Sequence, residues 1–590
     1  MKKFFTTTFA CVLGTLIAGM ILILIGVFSL TGFIAASATS DTTTYTPQKN
    51  TVLKLTLSGS LNERYNDDPL QNIFSQSETS VGLDKIRRAI KVAAENDNVT
   101  GIYIDARGMA KMTASSEEIR RLLTNFKEET GKWIYAYADN YTQSDYLIAS
   151  VADTVVLNNI GTVDIHGLGG LQMFYPGLLD KIGVEFQIFR VGTYKSAVEP
   201  YICEKMSDAN REQTMAYLNA TWDYYTDAIT TSRGFTPEYF NAIADSITAL
   251  RKGDEMLAMN LVDTLMYRPQ FDEWLKIKVG IEKDKDINFA SVEELASVPT
   301  PKNKSKNVVA LVYAVGDITE RGGNGINSEE LVPELTKIRK DNNVKAVVLR
   351  VNSPGGSGYA SEQIWAEIEA IKAAGKKVVV SMGDLAASGG YYISCNADHI
   401  FAESTTLTGS IGVFGAIPTA EKLMTEKLGL SFDEARTHKY GNVLDGSFIY
   451  KKFSPGEALA MQRSVEEFYD LFTRRCAEGR GMSQDDIKEI AEGRVWIGKT
   501  AVELGLVDEL GSIDDAISYA VEESGLQDYK IAVYPKQKSS LDRIMEQLSS
   551  QTRLSIASMI FGEELSYLNT LQEIKNWDPI QCRMENIVIK

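Results

Sequence analysis

The chain has 590 residues, of which 44% are hydrophobic and 24% charged, a globular composition too long for a single core and pointing to two or more domains. Its formal net charge of -17 argues against nucleic acid as a partner, because such binding needs clustered Lys and Arg. The five cysteines contain no C-x-x-C pair and no Walker-type loop occurs, so neither a metal nor a nucleotide site is expected, and no cofactor.

After Lys2 and Lys3 no charged residue precedes Asp41, and Phe9 to Ala36 is nearly all apolar. This run exceeds both the roughly 20 residues that cross a bilayer core and the h-region of about 7–15 residues of a cleavable signal peptide. Residues 1–45 therefore read as a retained membrane anchor, one transmembrane helix, with cleavage near Ala35, Ala36 and Ala38 as the lesser alternative. Lys2 and Lys3 are expected to stay in the cytoplasm, which puts the rest of the chain on the other side of the membrane.

The remainder repeats itself at an offset of 245 residues. Asn98 to Ile104 matches Asn343 to Leu349, Asp139 to Asp153 matches Asp384 to Asp398, and Leu261-Val262-Asp263 matches Leu506-Val507-Asp508. These anchors define a tandem duplication, 51–285 and 307–535, joined by a linker around Pro299-Thr300-Pro301-Lys302-Asn303-Lys304. Each half alternates short β-branched runs with helical patterns, which implies right-handed crossovers, a mostly parallel sheet and an α/β fold. Beyond Gln537, apolar residues at helical spacing (Ile544, Leu548, Leu554, Ile556, Ile560) predict a helical tail over 538–590.

Two turns of the second half carry chemistry. The run Val347-Val348-Leu349 ends in Ser353-Pro354-Gly355-Gly356, where backbone N–H groups can face a ligand without obstruction. The run Val378-Val379-Val380-Ser381 leads to Ala387-Ser388-Gly389-Gly390-Tyr391-Tyr392, a serine among small residues. An oxyanion hole from one turn and a nucleophile from the other point to acyl transfer, with peptide hydrolysis as the leading case. The base is less plain. His166, His399 and His438 all read as locally bonded or exposed, so a Ser-His-Asp triad is open but not signposted, and a lysine is the alternative. Lys195 in Gly192-Thr193-Tyr194-Lys195-Ser196-Ala197 and Lys439 in Thr437-His438-Lys439-Tyr440 occupy comparable places in the two halves, and both stay open at this point.

Together with Thr408-Gly409-Ser410-Ile411-Gly412-Val413, these motifs resemble those of the bacterial signal peptide peptidase A (protease IV) family, in its long, duplicated, membrane-anchored form. The resemblance covers essentially the whole chain. It implies a tandem duplication of a Clp-protease/crotonase-like α/β domain and a Ser-Lys dyad with Ser388 as nucleophile and Lys195 as base. The wider fold implies that the N–H groups of Gly356 and Gly389 hold the oxyanion. The family further implies hydrophobic peptide substrates such as released signal peptides, the bacterial inner membrane with the catalytic halves on the periplasmic side, and a homotetramer.

At the 245-residue offset Ser388 falls on Gln143 and the Pro-Gly-Gly turn on Met109-Ala110-Lys111, so the first half has lost both the nucleophile and the glycine pair. The neighbouring Ser144 reads as structural. A catalytically silent, membrane-associated peptide-binding scaffold is the alternative to an enzyme.

Overall fold

The computed structural model describes residues 44–65, 80–282, 284–299, 303–322, 325–443, 449–536 and 580–584, with isolated positions 14, 19 and 21. The expected anchor, apart from positions 14, 19, 21, 44 and 45, and the expected helix from Leu541 to Leu568 therefore lie outside the described residues; no helix among those described is long and apolar enough to cross a membrane. One part of the expected helical tail is corrected. Gln581–Arg583 is a β-strand, because its backbone finds open partners on two other strands rather than within itself.

Each half is built on a parallel sheet. In the first, the strands lie in the order Thr264–Leu265, Thr154–Leu157, Trp133–Ala138, Val99–Ala106, Thr51–Leu57, Phe289–Ala290, and every pairing is parallel. In the second, Lys377–Ala387, Val344–Ser353, Val308–Val315 and Lys530–Tyr534 lie side by side in parallel, and His399–Ala402 joins Lys377–Ala387 on its other side. Alternation along the strands feeds two cores at once. Val347, Leu349 and Val351 point into the main core of the second half, while Ala346 and Val348 face the opposite layer. That layer is closed by the helix Ile513–Glu523 through Ile513, Ala516, Ile517 and Ala520. Burial on both faces explains why these strands read as continuous apolar runs. In the first half the corresponding layer is closed by Arg268–Val279, which begins 245 residues before Ile513.

The helices over the other faces also correspond. Thr113–Thr130 and Gly358–Ala373 begin 245 residues apart, yet the first buries polar groups. Ser115, Ser116, Glu117, Glu118 and Arg120 are all buried; Ser115, Glu117 and Glu118 bond to the second half, whereas Arg120 bonds to Leu147, Ser150 and Ala228 of its own half. Asp384 accepts hydrogen bonds from the Ser115 N–H (2.8 Å) and Oγ (2.5 Å). Arg121 grips Glu403 with two bonds of 2.5 and 2.6 Å, and Glu117 accepts from the backbone and hydroxyls of Ser404 and Thr405. At the centre Arg350, only 1% exposed, donates to both oxygens of Glu63 (3.0 and 3.1 Å) and to Glu118 (2.9 Å). Burial raises the Glu63 and Asp384 carboxyls above their usual range, even with Arg350 beside them.

Removing the cation from such a network strands buried carboxylates, whose desolvation is no longer offset. Arg350→Ala should therefore lower the free energy of unfolding by about 3–5 kcal/mol, measured by chemical denaturation. A change below about 1 kcal/mol would show the network to be energetically idle.

Candidate active site

The two glycine-rich turns are pressed against one another. A Cβ on Gly355 would lie 2.6 Å from the Gly389 nitrogen, one on Gly389 would lie 3.1 Å from the Gly355 Cα, and one on Gly390 would lie 2.6 Å from the Ser353 carbonyl oxygen. At Gly355 and Gly390 real Cβ atoms do not approach so closely, so glycine is required there by the approach of backbone to backbone, and at Gly389 a Cβ would be crowded by Ser361 Oγ at 2.8 Å. Gly355 additionally has φ +99°, and its N–H donates to Ser353 Oγ at 3.1 Å. Gly356 lies in the short strand Gly355–Ser357, between Ile318 and Cys582.

Ser388 ends the strand Lys377–Ala387 and precedes the turn of helix Gly389–Tyr392 with φ 56° and ψ -113°, a region rarely occupied by a residue with a side chain. Its N–H donates to the Gly409 carbonyl (2.8 Å) and its carbonyl accepts from Tyr392 (2.8 Å), so bonds on both sides hold the unusual backbone. Ser388 is fully buried.

Lys195 reaches this serine from the other half. The strand Glu185–Val191 pairs antiparallel with Val413–Thr419 over seven residue pairs, from Glu185 with Thr419 to Val191 with Val413. Past the last pair the segment 492–494 lies between the two chains, the Gly493 N–H donating to the Ile411 carbonyl and the Ser410 N–H to the Arg494 carbonyl. Gly192, at φ +105°, lets the chain pass Glu492, where its Cβ would be 2.4 Å from the Glu492 carbonyl oxygen. The Tyr194 N–H then donates to that same oxygen at 2.9 Å. Gln213 donates to the Tyr194 carbonyl (3.0 Å) and to Ser196 Oγ (2.8 Å), fixing the residues on either side of the lysine. Lys195 Nζ lies 2.9 Å from Ser388 Oγ, 3.0 Å from Ser410 Oγ and 3.1 Å from the Ser410 carbonyl oxygen, with its side chain wholly buried.

The C-terminal strand Gln581–Arg583 lies across this constellation, antiparallel to Gly355–Ser357 on one side and touching Val413–Thr419 at Phe414 on the other. The Cys582 carbonyl oxygen would be 2.1 Å from a Cβ on Gly355 and 3.1 Å from one on Gly389, so it sits against both glycine turns. Cys582 itself is fully buried, and burial pushes its thiol up to about 12 while the charge of Lys195 opposes the shift. Met584, 1% exposed, is packed among Tyr217, Leu218, Ala387, Leu407 and Val495.

A buried serine, a buried amine in hydrogen-bond contact with it, and backbone amides beside an extended segment are the parts acyl transfer needs. Among the described residues no group of three or more His, Cys, Asp or Glu could hold a metal ion. The model of peptidase family S49 matches residues 126–282 and again 370–527, so the matched copies fall in both halves and cover more than half of the chain. This protein belongs to peptidase family S49. Protease 4 of Salmonella typhi is 36% identical over 83% of this chain and 80% of its own length. Protease 4 of Haemophilus influenzae is 34% identical over 77% and 76%, and the chloroplastic serine protease SPPA of Arabidopsis thaliana 29% over 92% and 79%. A solved structure of a ClpP1 mutant from Listeria monocytogenes covers 35% of this chain and 94% of its own at 17% identity and a TM-score of 0.24, too low a superposition to bear on the fold. The chain is a serine protease with a duplicated S49 domain.

The structure of this S49 peptidase brings Ser388, Lys195, Gly389 and the Gly355-Gly356 turn together. Lys439 is elsewhere, in an exposed stretch with its ammonium over the Tyr440 ring. The histidines are apart from the serine as well: His166 pairs with Asp164, His399 lies 3.5 Å from Glu509, and His438 is exposed. In the first half Lys111 pairs with Asp145 and is 3.3 Å from Ser144, a lysine and a serine in contact; burial lowers the pKa of this lysine, and the Asp145 carboxylate opposes the shift. Sequence reasoning gave no role to Ser410, although its setting between Gly409 and Gly412 was a signal. It likewise missed the strand at 581–583, which carries no turn or periodicity signal in so short a run.

Gly493 shows how tightly the lysine is seated. A Cβ there would be 2.8 Å from both the Cβ and the backbone nitrogen of Lys195, and φ is +79°. Gly493→Ala should displace Lys195 without touching Ser388 and lower kcat on a peptide substrate on the order of 10²-fold, as expected for a displacement near 1 Å. Unchanged kcat in a folded variant would show that Lys195 is not held by this contact.

Proposed function

We propose that this protein is a membrane-anchored serine endopeptidase that hydrolyses hydrophobic peptides, released signal peptides among them, through a Ser388–Lys195 dyad. The single observation that carries the reading is the 2.9 Å contact between Lys195 Nζ and Ser388 Oγ in a site closed to water. A lysine base has to be neutral, and desolvation is the influence that favours the neutral amine. Ser410 supports the geometry by offering Lys195 a hydroxyl and a carbonyl, partners that orient the amine without adding a carboxylate.

In the reaction the neutral amine of Lys195 takes the proton of Ser388 as Oγ bonds to the substrate carbonyl carbon. The carbonyl π electrons move to oxygen, where the N–H groups of Gly356 and Gly389 receive the charge. Collapse breaks the C–N bond, and the ammonium of Lys195 returns the proton to the leaving amine. Water, deprotonated by the same amine, then attacks the ester and releases the second product and Ser388.

The substrate backbone would take the lane now held by Gln581–Arg583, adding as a strand between Gly355–Ser357 and Val413–Thr419. The full burial of Cys582 and near-full burial of Met584 support apolar side chains in that lane. The charge-free span Phe9 to Ala36 supports a single-pass anchor in a bacterial inner membrane with both halves on the periplasmic side. A homotetramer completes the reading, as the resemblance implies.

A fluorophosphonate probe should label Ser388, located by peptide mass spectrometry. Ser388→Ala and Lys195→Ala should each lower peptide turnover by more than about 10³-fold, because groups that act as a unit fail together. Labelling at another serine, or near-normal turnover in either variant, would overturn the dyad. Wild-type protein that neither labels nor cleaves would favour the scaffold.

A further inference from the structure

The first half has lost its nucleophile, yet the place where its site would be is hollow. A cavity of about 580 Å³ lies there, lined by Lys111 and Gln143, the residues that stand 245 positions before Gly356 and Ser388. Its wall is mixed: Leu61, Met112, Leu168, Leu407 and Tyr225 give an apolar part, and Gln143, Ser144, His166, Asn352 and Asp384 are among the polar residues that share the lining. Lys111 is already paired with Asp145, and His166 with Asp164, so neither presents an uncompensated charge to a ligand. A hollow of this size, with a contiguous apolar part beside fixed polar groups, has the form of a binding site rather than a packing fault.

The cavity begins where the substrate lane ends. With the Cys582 carbonyl against both glycine turns, Arg583 marks the first residue after the cleaved bond and Met584 the second. Met584 packs in a cluster with Leu407, and Met112 and Leu168 pack against the same cluster. All three of these neighbours also line the cavity. The helix Asp208–Arg233 joins the two places, since Tyr217 and Leu218 touch the Met584 cluster while Thr221 and Tyr225 line the cavity. From Tyr217 to Thr221 the helix rises about 6 Å, at 1.5 Å per residue. An extended peptide covers that distance in about two residues, at roughly 3.3 Å each.

We infer that this cavity is the subsite for the leaving part of the substrate, receiving apolar side chains at the third and fourth residues after the cleaved bond. The inference rests on the assignment of Ser388 and its lane above. It gives the first half a second task beside supplying Lys195, the selection of residues on the leaving side of the scissile bond. The occupant is a hydrophobic peptide segment and not an anion, because Lys111, which stands at the former oxyanion turn, is already held by the Asp145 carboxylate.

The test uses full-length protein and internally quenched peptides identical through the second residue after the cleaved bond. One carries Leu-Phe at the next two positions, one carries Asp-Gly, and one ends at the second residue. The wild type should cleave the Leu-Phe peptide with kcat/KM about 10-fold or more above the Asp-Gly peptide. Ala110→Trp, which narrows the cavity from its exposed rim, and Leu61→Gln, which makes its wall polar away from the Met584 cluster, should each erase most of that preference. Both variants should cleave the short peptide and label at Ser388 as the wild type does. No preference in the wild type, an undiminished preference in both variants, or equal loss on the short peptide would overturn the subsite. Should one variant label poorly, the wild-type preference and the other variant decide. Absence of Ser388 labelling in the wild type would instead refute the dyad, and the two failures are thereby told apart.

Discussion

The candidate active site depends on one antiparallel strand pair that crosses between the halves. Glu185–Val191 comes from the first half and Val413–Thr419 from the second, and their register decides where Lys195 arrives. Lys195 lies four residues beyond this ladder, so a slip of one residue would shift the chain that carries it by roughly 3.3 Å and take its amine out of reach of Ser388. The ladder is continuous over seven pairs, and the segment beyond it is pinned by the Tyr194 bond to Glu492 and by Gln213. A long, flexible side chain is thereby held at hydrogen-bond distance from a serine 193 residues away in the chain.

The same sheet has to be held together by more than apolar contact. Between the halves lies a buried set of charges, with Arg350 between Glu63 and Glu118, Arg121 on Glu403, and Asp384 on Ser115. Buried ions seldom add net stability over well-packed apolar groups, but each pair is satisfied only in one geometry. Asp384 stands four residues before Ser388, and Arg350 three before Ser353, so the contacts that align the halves act directly on the strands that end in the two glycine turns.

The C-terminal strand belongs to this logic. Gly355–Ser357 and Val413–Thr419 flank a lane whose backbone groups need partners, and Gln581–Arg583 supplies them. An edge that accepts a strand of its own chain accepts an extended peptide by the same hydrogen bonds. The two glycine turns are close enough together that a carbonyl in this lane meets both.

Much of this was legible in the sequence. Apolar runs and helical spacing gave two α/β halves, because burial on both sheet faces leaves an unbroken hydrophobic signal. The 245-residue offset separated an intact set of turns from one replaced by Gln143 and Lys111, and glycine at 355 and 390 is dictated by local backbone approach. Composition could not choose between Lys195 and Lys439, since a lysine's use as a base depends on burial and on what it touches. Only the tertiary structure placed Lys195 beside Ser388 and Ser410 and left Lys439 exposed. It alone brought residues 581–584 to the site, because a three-residue strand is defined by the edges that receive it and leaves no period of its own.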